Sequence, residues 1–102
     1  MAGFEKVAQV GDIPSGQGKQ IEVGGKKIAL LNADGTFYAV DDSCPHVGGP
    51  LSEGTVVGQV VTCPWHAATF DVTNGSKLGG PAPAGVSCYT VRVTGDEIEI
   101  EV

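Results

Sequence analysis

The last fifteen residues, Cys88-Tyr89-Thr90-Val91-Arg92-Val93-Thr94-Gly95-Asp96-Glu97-Ile98-Glu99-Ile100-Glu101-Val102, decide the fold. Tyr89, Val91 and Val93 point one way, Thr94-Gly95-Asp96 reverses the chain, and Ile98, Ile100 and Val102 then alternate with Glu97, Glu99 and Glu101. Period-two alternation sends apolar side chains to one face of a strand and carboxylates to the other. The stretch reads as a β-hairpin with one wet face.

The same grammar recurs upstream. Gln20 to Val23 and Lys26 to Asn32 flank Gly24-Gly25, a pair able to take the positive φ values that tight hairpin turns need. Ala33-Asp34-Gly35 turns the chain into Thr36 to Asp41, whose β-branched and aromatic content suits a strand, and Phe4 to Val10 supplies another. Gly58-Gln59 turns a hairpin between Val56-Val57 and Val60-Val61. No segment carries apolar residues at helical spacing over eleven or more positions, so the expected fold class is all-β. Three stretches break the pattern: Asp42 to Gly54 and Cys63 to Thr69 become loops rich in Pro, Gly, His and Cys, and Gly79-Gly80-Pro81-Ala82-Pro83-Ala84-Gly85 is too rich in Pro and Gly for a strand. The first two should leave the same end of one small sheet, with the third free to lie across that end as a stiff flap.

A chain of 102 residues has room for one domain and one core. Six Lys and Arg against twelve Asp and Glu argue against nucleic acid and anionic lipid as partners. The longest purely aliphatic stretch is Ile28 to Leu31, and Met1 to Val10 has no basic segment followed by an apolar run. Neither an export signal nor a spanning helix is expected, and the location is read as cytoplasmic. Three cysteines is an odd number, which fits a reducing compartment and thiols used as ligands.

Cys44-Pro45-His46 and Cys63-Pro64-Trp65-His66 each pair a thiolate with an imidazole in a short loop, so four ligands can converge from two loops. Ordinary loop residues are the bland alternative, but both histidines of the chain and two of its three cysteines lie in these Pro-containing turns. Zinc is the sharper rival, since two Cys and two His complete a tetrahedral site. Structural zinc sites usually keep their cysteines together, whereas here each loop mixes one of each; mixed pairs suit a centre of two unlike irons.

These motifs, C-x-H and C-x-x-H, resemble the Rieske signature. The longer runs Cys44-Pro45-His46-Val47-Gly48-Gly49-Pro50-Leu51 and Cys63-Pro64-Trp65-His66-Ala67-Ala68-Thr69-Phe70-Asp71, with a Gly-Pro-Ala-Pro segment like the family's proline loop, extend the likeness over essentially the whole chain. The resemblance implies a Rieske-like sandwich of small antiparallel sheets, a single domain over 1–102 with a cluster-binding subdomain at about 42–71 inserted in a basal β domain. It implies one 2Fe-2S cluster, with Cys44 and Cys63 holding one iron through sulfur and His46 and His66 the other through nitrogen. Neutral imidazoles in place of two thiolates make reduction less costly, and such centres span roughly −150 to +300 mV against about −400 mV for plant-type ferredoxins.

Departures from the family's high-potential branch are informative. That branch carries an extra disulfide-forming cysteine in each loop, where this chain has Gly49 and Trp65, and it has hydroxyl donors where this chain has Ala68 and Phe70. Fewer donors to the centre imply the low end of the range. Ala67 replaces the family's usual Gly after the second His, and a positive φ there would strain it by about 1 kcal/mol. Pro45 and Pro64 read as shaping the ligand turns. Trp65 shields the centre, joins a docking surface or fills core. Cys88 reads as a structural thiol, and Asp41, Asp42, Glu53 and Asp71 as either an acidic ring that steers a basic partner or a solvated surface.

With four protein ligands in place and no nucleophile beside a base, the chain is expected to carry electrons and not to be an enzyme. By resemblance to soluble Rieske ferredoxins, it takes electrons from a flavin-containing, NAD(P)H-dependent reductase and passes them singly, in transient contacts, to an oxygenase, often one that hydroxylates aromatic rings. The alternatives are a small subunit of an assimilatory nitrite reductase and, from another class, a structural zinc module for protein interaction.

Overall fold

The computed structural model describes residues 3–42, 50–64, 68–79 and 85–101. Eleven strands appear in this order: β1 (Phe4–Gln9), β2 (Gly18–Val23), β3 (Lys26–Ala33), β4 (Thr36–Asp41), β5 (Thr55–Val57), β6 (Val60–Thr62), β7 (Thr69–Asp71), β8 (Lys77–Gly79), β9 (Cys88–Tyr89), β10 (Val91–Thr94) and β11 (Glu97–Glu101). Two short 3-10 turns, Val10–Asp12 and Leu51–Glu53, are the only helical elements among the described residues. The strands form three antiparallel sheets ordered β1-β11-β10, β2-β3-β4-β9 and β5-β6-β7-β8.

The β2-β3-β4-β9 sheet is the middle of three layers, and β3 shows why. Ile28 and Leu30 join Phe37, Ala39, Ile98 and Ile100 in the core shared with the first sheet. Their neighbours Ala29 and Leu31 join Val40, Leu51, Val56, Val61 and Phe70 in the core shared with the third. A strand covered on both faces needs an unbroken apolar run rather than alternation. That is the physical meaning of Ile28-Ala29-Leu30-Leu31, all fully buried; each large side chain so buried stabilises the fold by about 1.5–3 kcal/mol.

The expected hairpins form. Gly24 and Gly25 take φ of +59° and +78° in the turn between β2 and β3, which pair from Gly18↔Leu31 to Val23↔Lys26. At the C-terminus the hairpin forms with Val91↔Ile100 and Val93↔Ile98 paired, with Thr94 belonging to the strand, where it pairs with Glu97, rather than to the turn, and with Ile98 and Ile100 buried and Val93 exposed. The stretch from Tyr89 to Val93 is not one strand, however. Cys88 and Tyr89 pair with Val40 and Ala39 of the middle sheet, whereas β10 lies in the first sheet. The chain changes layer at Thr90, whose carbonyl accepts a hydrogen bond from the Glu101 N–H at 3.0 Å. Alternation records which side is apolar, not which sheet receives it.

The third sheet is tied to the middle one by polar contacts. Asn32 is buried on β3, and its Nδ2 donates to the Ile13 carbonyl at 2.8 Å. Gly16 N–H donates to the Asn32 carbonyl at 2.9 Å, and the Gly16 carbonyl accepts from Val56 N–H at 3.0 Å on β5. A buried polar side chain is tolerated when its hydrogen bonds are made, and the backbone carbonyls of Asn32 and Gly16 fasten one layer to the next.

Candidate metal centre

The register of the third sheet gathers the loops. Thr55 pairs with Thr62, Thr62 with Thr69, and Thr69 with Gly79. Segment 42–54 enters at Thr55, 63–68 leaves Thr62 and returns at Thr69, and the chain leaves the sheet again at Gly79, so the strand ends that bound all three segments lie at one end of the sheet. Strand β8, absent from the sequence reading, ends at Gly79 beside Thr69, where the proline segment begins.

Of the four expected ligands, Cys63 lies among the described residues, while Cys44, His46 and His66 lie outside them, as do Pro45, Gly49, Trp65, Ala67 and the Pro81 to Ala84 part of the proline loop. Cys63 is a free thiol, 1% exposed, in the apolar cluster that includes Leu51, Val61, Ala68 and Phe70. Its N–H donates to the Ala68 carbonyl at 2.8 Å, closing the second loop at its neck. Ala68 and Phe70 are fully buried and bring no hydroxyl to that pocket. A dry, unpaired sulfur at this end of the sheet fits a soft-metal ligand.

The other necks are closed as well. The Asp42 carbonyl accepts from Leu51 N–H at 2.7 Å, and its Oδ1 from Ser52 N–H at 2.8 Å. Beyond the proline loop, Val86 N–H donates to the Gly75 carbonyl at 2.8 Å. Gly75 has φ +77°, and a Cβ there would lie 1.9 Å from the Val86 carbonyl oxygen, so only glycine lets the two backbones cross. Asp41 binds the same returning strand: its N–H donates to the Ser87 carbonyl at 2.9 Å, and its Oδ1 accepts the Tyr89 hydroxyl at 2.6 Å. Burial, then the Asp41 carboxylate, push the Tyr89 hydroxyl pKa up to about 12.

These contacts correct the acidic ring. Asp42 is 2% exposed and holds a loop neck, and Asp41 is half-buried on Tyr89. Asp71 accepts from the Thr73 hydroxyl and the Thr73 N–H, which hold its carboxyl below the usual range. Glu53 alone of the four is exposed. Cys88 is exposed on β9, so it fills no core. The sequence reading missed Gln20, Ser52, Gly75 and Tyr89. An Asp-Asp pair just ahead of a ligand loop hinted at the necks, whereas nothing in the sequence marked the exposed Gln20.

Comparison with known proteins gives a consistent result. The family profile described as the Rieske 2Fe-2S domain matches residues 3–90. The chain is 39% identical over 94 residues to the 3-phenylpropionate/cinnamic acid dioxygenase ferredoxin subunit of Shigella flexneri, covering 91% of this chain and 88% of that one. It is 32% identical over 94 residues to mouse apoptosis-inducing factor 3, but spans only 16% of that protein's length. Among solved structures, a complex of reduced oxygenase and oxidized ferredoxin in carbazole 1,9a-dioxygenase contains a chain 31% identical, with a TM-score of 0.86 over 95% of this chain and 91% of that one. A nitrite reductase small subunit from Mycobacterium tuberculosis shares the fold, with a TM-score of 0.89 at 24% identity over 100% of this chain and 96% of that one.

Proposed function

This chain belongs to the Rieske 2Fe-2S domain family, and from that premise we propose that it is the ferredoxin component of a ring-hydroxylating oxygenase system. It carries single electrons from a flavin-containing, NAD(P)H-dependent reductase to the terminal oxygenase and does not itself transform substrate. Its cofactor is the family's 2Fe-2S cluster, one per chain. Cys44 and Cys63 would hold one iron through sulfur, and His46 and His66 the other through nitrogen; when bound, the group supplies a reversible one-electron couple. The cluster-binding unit is the third sheet with its loops, which takes in the expected segment at about 42–71 and continues to Gly79.

The observation that carries the reading is the buried, free Cys63 at the end of the third sheet from which three segments lead, joined to near full-length similarity with a dioxygenase ferredoxin subunit. The chain's own part is to keep that sulfur dry and without side-chain hydroxyls at Ala68 and Phe70, which favours the low end of the family's potentials. Contacts with both partners should be small and transient, centred on the edges of His46 and His66, because a shuttle must release each in turn. Free thiols at Cys63 and Cys88 accord with the reducing cytoplasm, and no helix among the described residues is long and apolar enough to cross a membrane.

The nitrite reductase reading shares the fold, but a likeness at 24% identity carries nothing about partners. Purified protein should be reddish brown, with about two irons and two sulfides and, when reduced, a lowered average g value from mixed nitrogen and sulfur ligation. A colourless protein with one zinc would overturn the assignment. Electron delivery to a nitrite reductase but to no ring-hydroxylating oxygenase would favour the alternative.

A further inference from the structure

We infer that Asp42 is a positioning residue for the centre: its buried side chain fixes the neck of the segment bearing Cys44 and His46 to the middle sheet. The inference rests on the ligand reading above and adds to it the device that aims the first loop. Asp42 follows the last residue of β4, and its N–H extends that strand's pairing by donating to the Lys27 carbonyl at 3.1 Å. Its carbonyl and Oδ1 take the N–H groups of Leu51 and Ser52, where the loop returns, so residues 43–50 are bracketed by two hydrogen bonds. Its Oδ2 accepts from the Gln20 side-chain amide on β2. One residue thus joins β2, β3 and both limbs of the loop.

The packing below agrees. A Cβ on Gly18 would lie 2.9 Å from the Ser52 carbonyl oxygen and 2.6 Å from Leu31 Cδ2, so the returning limb lies directly against β2. With Asp42 and Leu51 both buried, the neck has no slack. The donors are amides and carry no charge, so shape rather than charge is the requirement. In an Asp42→Asn variant the amide oxygen still accepts from Ser52, and Gln20, being exposed, turns its own amide to accept the new N–H. In Asp42→Ala the Ser52 N–H loses its acceptor inside the protein.

The holoproteins of Asp42→Asn, Asp42→Ala and Gly18→Ala separate these effects through release of iron to a chelator, the g values of the reduced state and the reduction potential. Asp42→Asn should release iron within about twofold of the parent and keep its g values. Asp42→Ala should release it on the order of ten times faster, the usual consequence of losing a support behind a metal ligand, with shifted g values. Both remove the same charge, so a rise in potential common to both is electrostatic, and only the excess in Asp42→Ala reports position. Gly18→Ala, whose Cβ presses on Leu31 and on the Ser52 carbonyl while leaving the Asp42 side chain intact, should resemble Asp42→Ala, and it decides the matter if Asp42→Ala does not fold. Parent-like release and g values in Asp42→Ala, or in Gly18→Ala, overturn the inference, as does an Asp42→Asn protein as impaired as Asp42→Ala. A parent protein without mixed-ligand g values would instead sink the proposed function.

Discussion

The middle and third sheets have four strands each but are held together by different means. In the middle sheet β2, β3 and β4 run for six to eight residues, are joined by two-residue turns in open space, and bury β3 on both faces. In the third sheet every strand is three residues long, and much of the order comes from loop necks: Cys63 to Ala68, Asp42 to Leu51 and Ser52, Gly75 to Val86. Strands that short are marginal alone. The part proposed to hold the metal is therefore the part that leans on the other layers.

The largest effect should come from Cys63→Ser. It should abolish the full iron complement, and because metal binding is coupled to local folding, protection from hydrogen exchange should fall at Val61 and Phe70 in the third sheet while Leu30 in the middle sheet keeps its own. A uniform fall would mean that the two sheets form one cooperative unit, and the contrast would be void.

Next comes a pair of glycines. Gly24 and Gly75 both have positive φ, but a Cβ on Gly24 meets nothing within 4 Å, whereas one on Gly75 meets the Val86 carbonyl at 1.9 Å. Gly24→Ala should cost about 1 kcal/mol from backbone strain alone. Gly75→Ala adds a clash that must move one backbone, so its cost should exceed about 3 kcal/mol in urea unfolding. Equal costs would show that the crossing at Gly75 yields easily and fixes nothing.

A smaller effect separates Asp41 from its neighbour. The Tyr89 pKa is raised from 10.0 to about 12 in the folded protein, so the protonated hydroxyl is the form that folding favours. That contribution is fully present below about pH 10 and is lost as pH rises through about 12. Tyr89→Phe should destabilise by about 1 kcal/mol at neutral pH, and its deficit should shrink between pH 10 and 12. Parallel loss of stability in parent and variant over that window would remove the Tyr89 to Asp41 bond from the account.

These contrasts also show what sequence can convey. Turns decided by φ were legible, because Gly24, Gly25 and Gly58 take positive φ values that other residues avoid. The family was legible because the scarce Cys and His of this chain stand together in two short motifs. Layering was not: the alternation from Tyr89 to Val93 looks the same whether one sheet or two receives it, and β8 has only three residues. The carboxylates misled for a related reason. An Asp that caps a neck and an Asp that faces solvent are the same letter, and only distances such as 2.8 Å from Ser52 N–H to Asp42 tell them apart.

The smallest effect tests what is left of electrostatic steering. Asp41, Asp42 and Asp71 are engaged by nearby donors, so reversing any of them would confound charge with loop geometry. Glu53 is exposed on the 3-10 turn where the first ligand loop returns, and no side-chain hydrogen bond joins it to the described residues. Glu53→Lys should therefore leave unfolding within about 0.5 kcal/mol of the parent. If a basic partner is steered toward this end of the molecule, electron transfer should slow a few-fold at low salt, and the difference should fade above about 0.1 M, where the screening length is about 10 Å. An unchanged rate at low salt would leave the acidic composition as a matter of solubility, and would put recognition in the loop tips rather than in the field around them.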